Sequence, residues 1–509
     1  MNNKQIEDLL ISGYDGSAQL VNSREIAALI ESFGYCDQSA EALGFRDIFA
    51  YADSLLSCFQ PDPRPVLPSH PGRIALAAEL RCALPKFCLS LAYAVPWMAL
   101  LTLEYLRPDA LKVSPELGGA LSLSLIASLM LTGGFIQTIT RSGTFYYGLK
   151  EPVLARQTCL RLLNLGLTCV LVLALVGMTL GFYFHVFGGG YLMMAAINYV
   201  ALSLLWMFCA VLSAQGRGWC IPLVFLIGGL LSILLKVLTH VGAPSLLMVW
   251  PMLAVLSAVG CTLVGFHRAE RAWPSTSNSV RPRVGVLAMS LVPFFLYGTV
   301  YFSFLFADRL AAGSAIPWVS GLSFGIDPAY KKGMDLVLLA FLVTAALVEY
   351  LGDSFLRYWH RLAFDLPQNA GEQLIGSLRL RHRHMLLAIF AVFILIAGVA
   401  WFAFSHLGAI AASPRLIETA ALGGIGYLLL CMALLEMVIL ASVNATSLTL
   451  AAVSLGLVVN VLTGYGLSHV WGVQYAAAGL VIGSAAVLWK CSAAVRQVLR
   501  RPDYYYSVS

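Results

Sequence analysis

Residues 158–214 read TCLRLLNLGLTCVLVLALVGMTLGFYFHVFGGGYLMMAAINYVALSLLWMFCAVLSA, two long apolar runs parted by His185 and the glycines Gly188, Gly189 and Gly190. A helix needs about 20 apolar residues to cross the hydrocarbon core of a bilayer. No soluble fold needs two such runs back to back. The pattern recurs outward from this stretch, and spans are read at 87–106, 117–140, 158–185, 190–214, 219–238, 244–266, 284–307, 334–356, 385–405, 416–441, 445–467 and 471–491. The 509-residue chain is 59% hydrophobic and 11% charged, with a mean hydropathy of +0.80. That lies far from the composition of a soluble domain. The expected fold class is therefore all-α integral membrane, with twelve transmembrane helices.

The charge is segregated. Residues 1–66 hold ten acids, from Glu7 to Asp62, against the four bases Lys4, Arg24, Arg46 and Arg64. Beyond them the bases crowd one side of the membrane. Odd-numbered connections carry Arg107, Lys112, Lys236, Arg309, Lys331, Lys332 and Arg415, whereas fourteen bases fall in even-numbered connections and the tail adds Lys490, Arg496, Arg500 and Arg501. Seven bases against eighteen place the even connections and both termini in the cytoplasm. This excess orients a membrane protein and gives no reason to expect nucleic acid as a partner. The opening MNNKQIEDLL is polar and lacks the apolar core of a signal peptide.

The expected organisation follows. Residues 1–66 form an acidic cytosolic helical module, and 67–83 a Pro-rich linker. Residues 84–266 form a first six-helix bundle, and 267–283 a cytoplasmic linker between bundles. Residues 284–491 form a second six-helix bundle, and 492–509 a cytoplasmic tail. In each bundle the connection after the second span is long and basic, 141–157 and 357–384. Matching positions in two halves suggest a pseudo-repeat with a cavity between the halves.

An ionisable side chain inside a bilayer costs at least ~2.5–3.5 kcal/mol, so each one asks for a reason. Glu436 is the deepest, and reads either as a cavity-wall or ion-coupling carboxylate or as an interhelical tie. Glu104, Asp308, Asp335 and Glu418 sit near outer ends of spans, where hydrated interfacial charges are expected; Asp308 with Arg309 could also line the outer mouth. Glu349, Asp353, Arg357 and Arg361, spaced four apart, share a helical face with acids preceding bases. They form either a solvated ladder or a docking ledge for a cytoplasmic partner. Asn164, Asn198, Asn444 and Asn460, within or at the ends of spans, are amides of the kind that bridge helices. Pro96 interrupts the first span beside Trp97, and Tyr93, Trp97, Tyr297, Tyr301, Tyr350 and Tyr465 offer flat faces to sugar rings or to packing.

Several chemistries are excluded. No Lys follows a Gly, so there is no phosphate-binding P-loop and no built-in ATPase. Eleven cysteines without a C-x-x-C pair read as small apolar packing residues, which supports no metal site. His360 and Asp365 form an H-x-x-x-x-D string of the acyltransferase type, but without a companion motif. Neither a catalytic residue nor a cofactor is assigned.

Five segments, in order, resemble the Pel exopolysaccharide transporter family, which belongs to a superfamily of drug, lipid-linked oligosaccharide and polysaccharide exporters. AYAVPW (92–97) is similar to a Tyr-containing run ending in Gly-Pro-Trp, with Val95 in place of the Gly. ITRSGTFYYGLKEP (139–152) resembles a Thr-Arg-Tyr-x-x-Asp-x-x-Tyr segment through Thr140 and Arg141, but Thr144 or Phe145 stands where the acid falls. FADRLAAGSAIPW (306–318) keeps Asp308 and Arg309 of an Asp-Lys/Arg-Trp stretch, VEYLGDSFLRYW (348–359) resembles a Val-Glu-Tyr segment, and VVNVLTGYGLSHVWGVQYAAAG (458–479) matches through Asn460, Thr463 and Gly472. The resemblance covers residues 85–509 and leaves the acidic N-terminal module outside. It implies a MATE-like or flippase-like fold in a bacterial inner membrane. It also implies export of a polysaccharide or lipid-linked glycan, with a cytosolic glycosyltransferase and a membrane scaffold as partners. Glu436, Asp308, Arg309, Glu349, Tyr93 and Trp97 are the expected pathway residues, and Arg141, Asp353, Arg357 and Arg361 the expected cytoplasmic mouth or docking residues. A small-molecule antiporter of the same fold is the rival expectation, and an integral-membrane acyltransferase the third.

Overall fold

A computed structural model describes residues 37–42, 44–58, 115–239, 243–273, 284–316, 327–365, 371–406, 413–443 and 445–500, together with Ala27 and Pro502. The chain divides into two compact units, Met1–Leu80 and Arg81–Ser509. In the first unit, α1 (Asp37–Ala42) and α2 (Ile48–Cys58) are joined by a carboxylate. Asp37 Oδ1 accepts the Ile48 N–H at 3.0 Å, and Asp47 Oδ1 caps α2 by accepting the Ala50 N–H at 2.8 Å. Two of the module's acids thus serve its own helix ends, over a small core of Ala40, Ile48, Tyr51 and Ala52.

The second unit is built of long helices: α3 (Pro115–Gly148), α4 (Pro152–Tyr183), α5 (Gly189–Ala214), α6 (Cys220–Thr239), α7 (Ala243–Ala272), α8 (Val284–Ser314), α9 (Pro328–Asp365), α10 (Gly371–His406), α11 (Pro414–Ser442), α12 (Thr446–Trp471) and α13 (Ala476–Val498). Each expected span from 117–140 to 471–491 coincides with one of them. The first expected span, 87–106, lies outside the described residues, as do Tyr93, Trp97, Glu104 and the Pro-rich linker. Among the described residues ten helices are long and apolar enough to cross a membrane, and a shorter apolar stretch, Cys220–Leu235, lies in α6.

Burial along the apolar stretches repeats in the two halves. The second spans, α3 and α9, are 56% and 61% buried; the third, α4 and α10, are both 17%; the fourth, α5 and α11, are 61% and 56%. A helix that exposes most of an apolar surface faces lipid, so α4 and α10 are the outer staves of two similarly arranged bundles. Ties near the helix ends establish the antiparallel order. Arg156, early in α4, lies 2.9 Å from Glu270, late in α7, and Arg381, early in α10, donates to Ser354 Oγ, late in α9, at 2.9 Å. The ends carrying Arg156, Arg217, Arg271, Arg357 and Arg381 form one side of the molecule, here called the basic side.

Helices run past the apolar edges on that side. The basic connection expected at 357–384 is mostly helix, because α9 continues to Asp365 and α10 begins at Gly371. Hydropathy reports only the apolar part of a helix, whereas backbone hydrogen bonding carries on until something stops it. α3 stops where Lys150 turns to a φ of 58° just before Pro152, and α12 stops at Gly472, whose φ of 117° suits only a residue without a Cβ. That glycine moves the start of the last helix from the expected 471 to Ala476.

The bundles meet where α3 packs on α8. A Cβ at Gly133 would lie 2.7 Å from the Gly298 carbonyl oxygen, and one at Gly134 2.6 Å from the Phe295 carbonyl oxygen. Only glycine allows backbones this close, the packing mode that small residues permit between membrane helices. Pro293 lies one turn before this seam and removes a backbone donor from α8.

Candidate functional site

On the basic side of the seam the bundles part. A cleft of about 260 Å³ is lined by Gln137, Thr140, Arg141 and Thr144 of α3, Phe294 and Tyr297 of α8, Ala441 of α11, and Thr446 and Thr449 of α12. The four α3 residues recur at helical spacing, so they form one polar stripe along the helix. Arg141 stacks over the Phe294 ring at 5.3 Å, a cation–π contact across the bundle boundary. Tyr297 stacks on Tyr301 at 6.0 Å. The cleft therefore offers hydroxyls, an amide, one cation and aromatic faces in one place.

Two charge clusters lie inside the second bundle, away from that lining. Toward the side opposite the basic one, Asp308 is 0% exposed between α8, α9 and α11. Tyr330 O–H donates to Asp308 Oδ2 at 2.7 Å, and Arg309 Nη1 donates to Tyr427 Oη at 2.9 Å. Arg309 lies 3.8 Å from Asp308 Oδ1 and 3.7 Å from Asp335 Oδ1, while Lys331 Nζ lies 3.1 Å from Asp335 Oδ2. Phe306 carries the guanidinium on its face at 5.3 Å. Two carboxylates thus meet two cations from neighbouring helices, and the group is neutral as a whole. The sequence reading has Asp308 and Asp335 as hydrated charges at helix ends; the structure buries both. Arg309 beside Asp308 on α8 and Lys331 one turn before Asp335 on α9 supply counter-charges, and the Arg309–Asp335 contact links the two helices, which removes the need for water.

Toward the basic side, Glu436 of α11 is also 0% exposed. Ser492 of α13 donates to its Oε1 at 3.0 Å, and His382 Nε2 of α10 stands 3.1 Å from its Oε2, out of line for a hydrogen bond. Of the two readings left open for Glu436, the geometry here is the interhelical tie: one carboxylate joins three helices of one bundle. The ladder on α9 is looser. Asp353 and Arg357 are 3.9 Å apart and almost half exposed, and Glu349 and Arg361 are exposed. His360 is exposed on the same helix.

Of the expected pathway residues that are described, none of Glu436, Asp308, Arg309 or Glu349 lines the cleft; of the expected mouth residues, Arg141 does. Gln137, Thr144, Thr446 and Thr449 escaped the sequence reading. The stripe at 137, 140, 141 and 144 was the available signal for α3, whereas Thr446 and Thr449 come to the cleft only through tertiary packing. Among the described residues no three His, Cys, Asp or Glu side chains converge to hold a metal ion.

No protein-family model and no curated protein matches the chain. Solved structures do. The Vibrio cholerae MATE transporter VcmN in its bent form is similar with a TM-score of 0.56 at 15% identity, over 84% of this chain and 99% of that one. A multidrug resistance MATE family transporter of the MOP superfamily is similar in its outward-facing conformation with a TM-score of 0.53 at 14% identity, over 84% and 97% of the two chains. A MATE in complex with MaD3S gives 0.54 at 14%, over 82% and 96%. At such identity the likeness is one of fold: the chain has a MATE-like fold, with ten helices long and apolar enough to cross a membrane among the described residues.

Proposed function

We propose that this chain is a bacterial inner-membrane exporter. It passes an exopolysaccharide, or a glycan on a lipid carrier, from cytoplasm to periplasm between its two bundles. The observation that carries the reading is the cleft on the basic side, lined by hydrogen-bonding side chains from both bundles and open where the positive-inside bias puts the cytoplasm. A polyhydroxylated chain needs many modest hydrogen bonds and flat apolar faces; Gln137, Thr140, Thr144, Thr446 and Thr449 offer the first, Phe294 and Tyr297 the second. The resemblance to the Pel transporters supports the same cargo. At about 260 Å³ the cleft is smaller than sites for drug-sized ligands, so passage requires the bundles to rock apart about the α3–α8 seam. With no ATPase motif, the work comes from an ion gradient, from elongation of the polymer by a glycosyltransferase docked on the cytoplasmic face, or from downhill release. A membrane scaffold would receive the product.

Deleting the gene is expected to abolish polymer export while polymer-synthesising activity persists in membranes; normal export from the deletion strain overturns the proposal. Gly298→Val tests the seam. Overpacking typically costs about 1–3 kcal/mol, enough to spread α3 from α8, so export should fall at least about tenfold with protein still in the membrane. Unchanged export would show that rocking about the seam is not the route.

A second reading is favoured by the buried charges of α8, α9 and α11: an ion-coupled small-molecule antiporter, as the names of the structural relatives suggest. It predicts gradient-driven efflux from proteoliposomes, independent of any sugar polymer.

A further inference from the structure

We propose that the basic end of α12 binds a phosphate-type oxyanion. On the export reading above, this makes the cargo of the cleft a glycan carried on a phosphate or diphosphate. Three features converge on it. First, α12 begins at Thr446 behind Ala445, which supplies no side-chain cap. The first amides of a helix lack intrahelical acceptors and carry the positive end of its dipole. Second, Thr446 and Thr449 are 7% and 2% exposed, both line the cleft, and neither hydroxyl has a hydrogen-bond partner among the described residues. Thr138, Thr419 and Thr463 fold back on the carbonyl four residues before, whereas Thr262, Thr299 and Thr344 share the unpartnered state; Thr446 and Thr449 differ from these three in lining the cleft together at a helix start. A closed-off hydroxyl bonded to nothing is a cost that a strong acceptor removes. Third, Arg141 faces them from α3 as the sole charged residue among the described lining, and no described carboxylate lies within ion-pair distance of it.

The balance of groups selects the ligand. Sugar hydroxyls both donate and accept, and sites built for them commonly supply carboxylates. The described lining holds no carboxylate but does hold a guanidinium, an amide, four threonine hydroxyls and a helix N-terminus. A phosphate oxygen only accepts, and it suits a donor-rich concavity beside an arginine. The Phe294 ring beneath Arg141 leaves the guanidinium edges available to a bidentate partner. Because the two threonine hydroxyls are shut off from solvent, the anion reaches them only as the cleft opens, which ties its binding to that opening.

The full-length protein in phosphatidylcholine nanodiscs, titrated with inorganic pyrophosphate by calorimetry, tests this. Saturable binding is expected. Arg141→Gln and Thr449→Val should each raise Kd about tenfold, the loss of one charge-assisted contact, while Thr449→Ser retains binding. Absence of binding by the wild type, or a Thr449→Val protein that binds as well as wild type, overturns the site. Displacement of pyrophosphate by a polyprenyl diphosphate, and not by phosphatidylglycerol, assigns the site to a carrier-linked glycan. Displacement by phosphatidylglycerol keeps the oxyanion site but assigns it to the bilayer's own headgroups. The export reading fails separately: a deletion strain that exports normally removes that reading whether or not pyrophosphate binds, and lost export without pyrophosphate binding removes the oxyanion site alone.

Discussion

The two bundles share a layout but are held together by different chemistry. In the first, the described interior ties are neutral: Asn198 Nδ2 donates to Ser124 Oγ at 2.7 Å, and Trp206 Nε1 to Ser128 Oγ at 3.1 Å. Gln215 Nε2 donates to the Thr262 carbonyl oxygen at 3.2 Å. Its charges sit at the rim, as in the partly exposed Arg156–Glu270 pair. In the second bundle Asp308, Asp335 and Glu436 are buried, each beside a cationic or titratable partner. The difference teaches where rigidity lies. Neutral ties in a membrane average about 0.6 kcal/mol, so helices joined by them can slide. A buried charge cannot lose its partner cheaply, so helices joined by charges move as one body. In the proposed export cycle the second bundle is accordingly the fixed half and α3 with its neighbours the moving one.

The strongest way to break this comparison is Arg309→Met. It leaves Asp308 and Asp335 in the interior with Lys331 as the remaining described cation and the Tyr330 hydroxyl as a neutral donor. Removing one side of a buried ion pair costs about 3–5 kcal/mol, so thermal unfolding of the purified protein in detergent should shift down by about 3–5 °C. A shift no larger than that of a lipid-facing substitution such as Leu395→Ala would mean that the cluster is solvated in the membrane and that the bundles do not differ in this way.

A smaller effect sharpens the comparison. Glu436→Gln preserves shape and the bond from Ser492 and removes the charge facing His382. Stability should change by about 1 kcal/mol or less, because an amide still satisfies Ser492. Its value lies in transport. If Glu436 is only a tie, export continues at near wild-type rate; if it couples an ion, gradient-driven efflux in proteoliposomes stops. The second outcome would favour the antiporter reading.

The fold was legible because every one of its decisive signals is local. Apolar length gave the spans, charge alternation gave their expected direction, and the matched basic loops hinted at the repeat later visible in the burial of α4 and α10. The site was only partly legible. Gln137, Thr140, Arg141 and Thr144 share a stripe that a helical projection reveals within one span. His382 and Glu436, by contrast, are 54 residues apart, and nothing in either span announces the other. Asp308 and Asp335 were expected to meet water because the position of a carboxylate along a span says how deep it sits, not which helices close over it. Arg309 reaches Asp335, Tyr330 reaches Asp308 and Tyr427 reaches Arg309 only when α8, α9 and α11 pack.

The smallest predicted effect is also the most discriminating for the mobile half. Asn198→Ala removes the amide that joins α5 to Ser124 of α3. The remaining Ser124 hydroxyl already donates to the Leu121 carbonyl oxygen at 2.7 Å, so no donor is orphaned. Destabilisation should stay near 0.6 kcal/mol, a change of about half a degree in Tm for a protein this size. The α3–α5 contact should nevertheless loosen, because Trp206 to Ser128, one turn deeper, becomes the nearest remaining side-chain tie between the two helices. Hydrogen exchange of the α3 amides around 121–128 should accelerate in the variant, while α11 amides around Glu436 stay protected. Equal acceleration in both bundles would show that they breathe together, and the contrast between a sliding half and a fixed half would fail at its weakest joint.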